Sequence, residues 1–108
     1  MTRKATLKEL DALIRKIAVA YRPKQIILFG SYAYGKPEAD SDVDVMVVMP
    51  FKGRPAFKAA EILHEIKPSI PVDLIVRSPA QIRNRLALND FFIREVIDKG
   101  KVLYENPY

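Results

Sequence analysis

Apolar residues recur with helical spacing at the beginning of the chain. Leucine or isoleucine occupies positions 7, 10, 13, 14 and 17, which places these side chains on one face of a helix. Thr6 and Glu9 have the spacing of a capping box, and Pro23 prevents the helix from continuing. The pattern therefore predicts an amphipathic helix that begins after Thr6 and ends before Pro23.

Short apolar runs rich in β-branched residues follow, and they have the length of buried strands. Three of them span residues 25–29, 43–49 and 72–76, and a shorter run at 101–104 fits an edge strand. One helical turn at 31–34 and a polar loop at 35–41 separate the first two runs.

Helical patterns also occupy the second half of the chain. Apolar spacing favours a helix over 55–66, and the sequences Ser78-Pro79 and Asn89-Asp90 are typical starts for helices over about 79–86 and 91–99. Gly100 is a natural C-cap for the last of these. Together the elements predict an α/β fold, with a small mixed sheet flanked by helices, built from residues 1–108 as one domain.

The first predicted strand ends abruptly in Gly30-Ser31. A buried strand that stops at such a turn presents main-chain N–H groups and a hydroxyl to an anion, and glycine lets the main chain come close. We interpret Gly30 and Ser31 as binding the terminal phosphates of a nucleoside triphosphate. Lys36 and Arg77 are candidates to neutralise phosphate charge, although solvated basic residues are common.

Asp42 and Asp44 stand two residues apart at the start of the second predicted strand. Both carboxylates point to one side of the strand, with Cα atoms about 6.5–7 Å apart. Two such charges at about 4 Å repel by on the order of 4 kcal/mol at an effective dielectric constant of 20, and Mg²⁺ would offset that repulsion. Asp73, within another apolar run, could bind a second ion or accept a proton from an attacking hydroxyl.

Other interpretations of these residues stay open. Asp42 follows Ser41 and could be a turn residue, and an Asp-x-Asp pair often arises by chance. Context favours a metal site, because the pair begins an apolar strand, follows a strand-ending Gly-Ser and is accompanied by a third aspartate. His64 lies among helical apolar positions and is interpreted as a structural or surface residue.

Composition narrows the class of protein. The chain has no cysteine, which excludes disulfides, thiolate zinc sites and cysteine nucleophiles. Its formal charge of +5 would attract polyanions, but the basic residues are scattered, so direct nucleic-acid binding is not expected. No stretch reaches the roughly 20 apolar residues of a membrane helix, and no signal-peptide pattern opens the chain. We therefore expect a cytoplasmic protein without a membrane partner.

The motif residues resemble those of a known superfamily. Residues 30–35 followed by 41–44 resemble the Gly-Ser, then Asp-x-Asp signature of polymerase-beta-like nucleotidyltransferases, and Asp73 falls where a third carboxylate is expected. The small size resembles the minimal nucleotidyltransferase (MNT) branch. This resemblance implies the nucleotidyltransferase-like fold, ATP as substrate, Gly30 and Ser31 at its phosphates, and two Mg²⁺ ions on Asp42, Asp44 and Asp73.

Many MNT proteins are antitoxins encoded beside a HEPN-domain ribonuclease toxin. The resemblance implies a Mg-dependent protein adenylyltransferase that transfers AMP from ATP to a tyrosine hydroxyl of a cognate HEPN toxin. Tyr34 departs from the usual motif, which has arginine there, and tyrosine lacks the forked donors of a guanidinium. Two alternatives remain: a non-catalytic antitoxin that occludes its partner, and an antibiotic-type nucleotidyltransferase acting on a small molecule.

Overall fold

A four-stranded mixed sheet organises the molecule in a computed structural model that describes residues 4–38 and 41–107. The strands are β1 (Gln25–Phe29), β2 (Val43–Val48), β3 (Val72–Arg77) and β4 (Lys101–Glu105). Their order across the sheet is β3-β2-β1-β4. Strand β1 is antiparallel to β2 and β4, whereas β2 and β3 are parallel. Strands β3 and β4 are therefore the two edges.

Helices cover both faces of this sheet. They are α1 (Leu7–Tyr21), α2 (Ser31–Tyr34), α3 (Pro55–Ile66), α4 (Pro79–Ala87) and α5 (Phe91–Lys99). Because side chains alternate along each strand, one set of strand residues packs with α1 and α3, and the other set packs with α5 and with apolar side chains of α4. We call these the α1–α3 face and the α4–α5 face.

The predicted α/β fold with a mixed, helix-flanked sheet is confirmed. The capping box is present, since Glu9 N donates to Thr6 Oγ1 at 3.1 Å and Thr6 N donates to Glu9 Oε1 at 3.0 Å. The predicted edge strand at the end of the chain is also present, extended by one residue to Glu105. Ala39 and Asp40, in the predicted polar loop, lie outside the described residues. In the part of the chain that is described, no helix combines the length and the apolar character needed to cross a bilayer.

Gly100 ends α5 as predicted, but its role is close packing. Its φ of −70° is open to any residue. A Cβ atom built there would lie 2.7 Å from Ile27 Cγ2 and 3.0 Å from the carbonyl oxygen of Leu28. The missing side chain thus lets the end of α5 rest on β1, immediately before the chain enters β4.

Candidate active site

Two of the predicted acidic residues lie side by side near one end of the sheet. Asp44 is the second residue of β2, Asp73 is the second residue of β3, and the parallel pairing makes them direct partners. Phe29, the last residue of β1, is the partner of Asp44 on the other side. By strand alternation all three belong to the α4–α5 face, with Met46 and Ile75 next in line.

The surroundings of Asp44 disfavour a negative charge on its carboxyl group. Burial raises the pKa of its carboxyl above the ordinary value of 3.8, and the neighbouring charges of Asp73 and then Asp42 raise it further. Asp42 itself is exposed and lies just before β2. The three aspartates therefore share one environment, and each of the three causes makes Asp44 harder to ionise.

This donor set fits a hard divalent cation. Carboxylate oxygens are the ligands that Mg²⁺ prefers, and a bound cation would relieve the repulsion among the three aspartates. Within residues 4–38 and 41–107, the side chains of histidine, aspartate and glutamate form no ready-made group of three that could hold a metal ion. Asp44 and Asp73 could supply the one or two carboxylates that Mg²⁺ uses, and water and substrate phosphates would complete its coordination shell.

Gly30 packs directly against the acidic site. Its φ of 71° and ψ of −158° lie in a region that is essentially restricted to glycine. A Cβ atom built on Gly30 would overlap Asp44 Oδ2 and would lie 3.0 Å from Asp44 Cγ. The turn predicted to bind phosphate and the carboxylate predicted to bind metal are therefore in immediate contact.

Helix α2 holds that turn in a fixed position. The N–H groups of Ala33 and Tyr34 donate to the Gly30 carbonyl at 3.0 and 3.1 Å. The Ala33 side chain is buried in the core of the α1–α3 face. Tyr32 anchors the turn from outside, because its hydroxyl accepts a hydrogen bond from Ala5 N at 2.8 Å. The short helix is thus tied both to the core and to the segment that precedes α1.

The two basic residues predicted to lie near the phosphates are placed differently. Lys36 is exposed but stays close to the turn, since its main-chain N–H donates to the Ser31 carbonyl at 3.0 Å. Arg77 lies four residues beyond Asp73 at the other end of β3, about 13 Å away at the usual strand rise. Its Nη1 donates to the Val76 carbonyl at 2.8 Å. The structure keeps Lys36 next to the Gly30–Ser31 turn, whereas Arg77 lies at the opposite end of β3 from Asp73.

Two further residues of the site region escaped the sequence analysis. Tyr32 was only part of a motif, and nothing local indicated a partner 27 residues away. Phe92, in α5, makes an edge-on contact with Phe29, with ring centroids 5.6 Å apart and planes at 84°.

Tyr34, where the resemblance expected arginine, is 42 % exposed on α2. His64 is exposed on α3, consistent with its interpretation as a surface residue.

Comparison with known proteins identifies the family. The model of the nucleotidyltransferase domain family matches residues 8–103, which is nearly the whole chain. The chain belongs to the nucleotidyltransferase family. Two relatives from Methanocaldococcus jannaschii, both named "putative protein adenylyltransferase", are 36% identical over 80 residues and 34% identical over 99 residues. The first match covers 67% of this chain and 79% of the relative, and the second covers 90% and 96%.

Two solved structures have a fold similar to that of this nucleotidyltransferase. The crystal structure of a "putative nucleotidyltransferase" from Sulfolobus solfataricus has a TM-score of 0.65 at 20% identity, with 93% of this chain and 80% of that chain covered. A toxin-antitoxin crystal structure with AMP-PNP has a TM-score of 0.60 at 22% identity, with 94% and 76% covered. The resemblance inferred from the motif residues is confirmed, and the nucleotidyltransferase-like fold with it.

The raised pKa of Asp44 predicts how the stability of the metal-free enzyme depends on pH. An acid whose pKa is higher in the folded state binds its proton more tightly there, so the free energy of unfolding falls as pH rises from about 3.8 through the folded pKa. We expect Asp44→Asn to remove this component of the slope. Thermal unfolding of both proteins in EDTA, across mildly acidic to neutral pH, measures it. Parallel pH profiles for the two proteins would contradict the prediction.

Proposed function

We propose that this nucleotidyltransferase is a Mg-dependent protein adenylyltransferase that acts as an antitoxin in the cytoplasm. Its substrates would be ATP and a tyrosine hydroxyl of a cognate HEPN ribonuclease toxin. The observation that carries the proposal is the direct contact between the Gly30 turn and Asp44, with Asp73 beside Asp44 on the adjoining strand. The names of the relatives, and the toxin-antitoxin structure with an ATP analogue, support the choice of ATP and of a protein acceptor.

The proposed reaction is a displacement at the α-phosphorus of ATP. The acceptor oxygen forms a bond to this phosphorus, the bond from phosphorus to the bridging oxygen breaks, and pyrophosphate leaves. The hydroxyl proton would pass to a carboxylate, and the exposure of Asp73 on an edge strand supports this role for Asp73. Main-chain N–H groups at Gly30 and Ser31 would orient the departing phosphates.

Asp42, Asp44 and Asp73 are the residues that would hold Mg²⁺. When bound, the cation would supply positive charge to the phosphate oxygens and offset the effects of burial and of the neighbouring Asp73 and Asp42 charges, which raise the pKa of Asp44. Part of the cationic role that arginine has in the usual motif would pass to Lys36, which lies next to the turn. Tyr34 is exposed nearby but has no positive charge to contribute.

The proposal predicts a covalent product that can be weighed. The protein, ATP, Mg²⁺ and the purified HEPN toxin encoded beside its gene are mixed, and intact-mass spectrometry follows the toxin. We expect the toxin mass to increase by one or more AMP groups, and peptide mapping to place each group on a tyrosine. Omission of ATP or addition of EDTA should abolish the increase.

The matched control is the double variant Asp42→Asn/Asp44→Asn, which preserves side-chain size but removes two negative charges. It should transfer no AMP and should fail to neutralise the toxin in a ribonuclease assay. If the native protein leaves the toxin mass unchanged while the double variant neutralises fully, the enzymatic account is wrong and occlusion explains the inhibition.

A further inference from the structure

Large apolar side chains are exposed where α4 meets α5. Within five consecutive residues, Leu88 is 73% exposed, Phe91 is 87% exposed and Phe92 is 45% exposed. We call these three residues the corner patch. For side chains of this size the fractions correspond to about 400 Å² of exposed apolar surface, which is comparable to the largest patch on a typical monomer. Patches of this size on soluble proteins commonly mark an interaction site.

Phe92 connects the corner patch to the acidic site. Helix α4 follows β3 directly, and its apolar side chains Ile82 and Leu86 pack on the α4–α5 face. Phe92 then touches Phe29, whose neighbour in the sheet is Asp44. A protein bound over Phe92 would therefore lie close to Phe29, the neighbour of Asp44, and Leu88 would extend the contact surface toward Arg77.

The surroundings of the patch favour a protein with acidic residues at the edge of its contact surface. Leu88 also lines a hollow of about 260 Å³ together with Pro55, Gln81, Asn84 and two arginines, Arg77 and Arg85. None of the described residues that line this hollow is acidic. Arg85 also has a carboxylate nearby, that of Asp90 at 3.9 Å. An apolar centre flanked by basic side chains is complementary to an apolar pocket with a carboxylate at its rim.

We propose that the corner patch is the docking surface for the acceptor protein, with Phe91 as the anchor that enters an apolar pocket on it. The inference rests on the proposed function and deepens it, because it states which surface of the nucleotidyltransferase domain would hold the acceptor. Phe91 packs against almost nothing in the chain itself, so its contact area is available to a partner. Arg77, remote from the phosphates, contributes to acceptor recognition instead.

The test measures binding separately from catalysis. The HEPN toxin is titrated against the Asp42→Asn/Asp44→Asn protein, which cannot transfer AMP, with and without Phe91→Ser, by isothermal calorimetry. We expect Phe91→Ser to raise Kd by about 30-fold or more, as for a buried aromatic anchor, and Leu88→Ser to raise it by a smaller factor. Mg²⁺-dependent binding of a fluorescent ATP analogue to the otherwise native chain should be unchanged by Phe91→Ser.

Phe57→Ser is the matched control. Phe57 is also a phenylalanine, 69% exposed, but it lies on α3 and therefore on the α1–α3 side of the sheet. Thermal unfolding of all the variants checks that each is folded, and the high exposure of Phe91 means that its loss should lower Tm little. Only Phe91→Ser and Leu88→Ser should weaken toxin binding.

Several results would overturn the docking inference. The first is an equal Kd for Phe91→Ser and Phe57→Ser, and the second is that Phe91→Ser weakens binding of the ATP analogue while toxin binding stays intact. The third is a native dimer that Phe91→Ser dissociates. The fourth is that the parent protein does not bind the toxin. The second result would mean that the patch contacts the adenine base of ATP, and the third would mean that it is a contact between two copies of this chain. If AMP is transferred but Phe91 has no effect, the proposed function is retained and the docking inference is wrong. If toxin binding depends on Phe91 but no AMP is transferred, the docking surface is retained and the proposed transferase activity is wrong.

Discussion

Gly30→Ala is expected to lower the rate of AMP transfer by about 100-fold or more and to destabilise the fold by roughly 1–3 kcal/mol, the usual cost of a side chain at such a backbone conformation. The new methyl group would occupy the position of Asp44 Oδ2, so the carboxylate must move. Steady-state transfer kinetics measure the first effect, and urea unfolding in EDTA measures the second.

Gly35→Ala is the matched control for this substitution. Gly35 also has a positive φ, 82°, and flanks the same helix, but a Cβ atom there would meet no atom of the described residues within 4 Å. We expect it to cost about 1 kcal/mol of stability from its backbone conformation alone and to leave transfer close to the native rate. Equal losses of activity for Gly30→Ala and Gly35→Ala would show that backbone strain, and not contact with Asp44, governs the site.

A double-mutant cycle separates the two causes further. In an Asp44→Gly background the atoms that a methyl group at position 30 would strike are absent, while the backbone strain at that position persists. The destabilisation caused by Gly30→Ala should therefore be smaller in that background than in the native protein. Additive free energies of unfolding would contradict the direct contact.

Asp44→Asn should change activity and stability in opposite directions. We expect transfer to fall by on the order of 10³-fold, because several kcal/mol of charge stabilisation around the phosphates would be lost. At neutral pH without metal, the variant should unfold at a higher temperature than the native protein, since it removes a charge that burial, Asp73 and Asp42 all disfavour. Transfer assays test the loss of activity, and calorimetry in EDTA tests the rise in unfolding temperature.

The control for this variant is Asp98→Asn, which removes one carboxylate from the exposed surface of α5. It should leave both the transfer rate and the unfolding temperature near the native values, because surface substitutions seldom exceed about 0.5 kcal/mol. A drop in the metal-free unfolding temperature of Asp44→Asn would mean that the carboxylate stabilises the fold, contrary to the direction of its pKa shift.

The elements of this fold were predictable because their signals are short-range. Helix α1 begins after Thr6 because a pair of residues three apart satisfies the first N–H groups, and β1 stops where Gly30 changes the backbone direction. Such signals need no knowledge of the remainder of the chain. They do not say which strands are neighbours, so the contact of Gly30 with Asp44 could not be read from the spacing of the two residues.

The placement of Arg77 shows the same limit. On the sequence it stands only four residues from Asp73, and proximity along the chain suggested proximity to the phosphates. An extended strand converts that separation into about 13 Å, because each residue advances the chain by about 3.3 Å. Lys36 is closer to the turn because the chain curls back through α2, where its N–H reaches the Ser31 carbonyl.

The edge position of β3 sets the size of molecule that this active site can serve. Asp73 is exposed on the outermost strand, and no further strand of residues 4–38 or 41–107 covers it from beyond the sheet. Under the proposed function, a folded acceptor protein would present its hydroxyl from the side of this edge. Each turnover would then include the association and dissociation of two folded proteins.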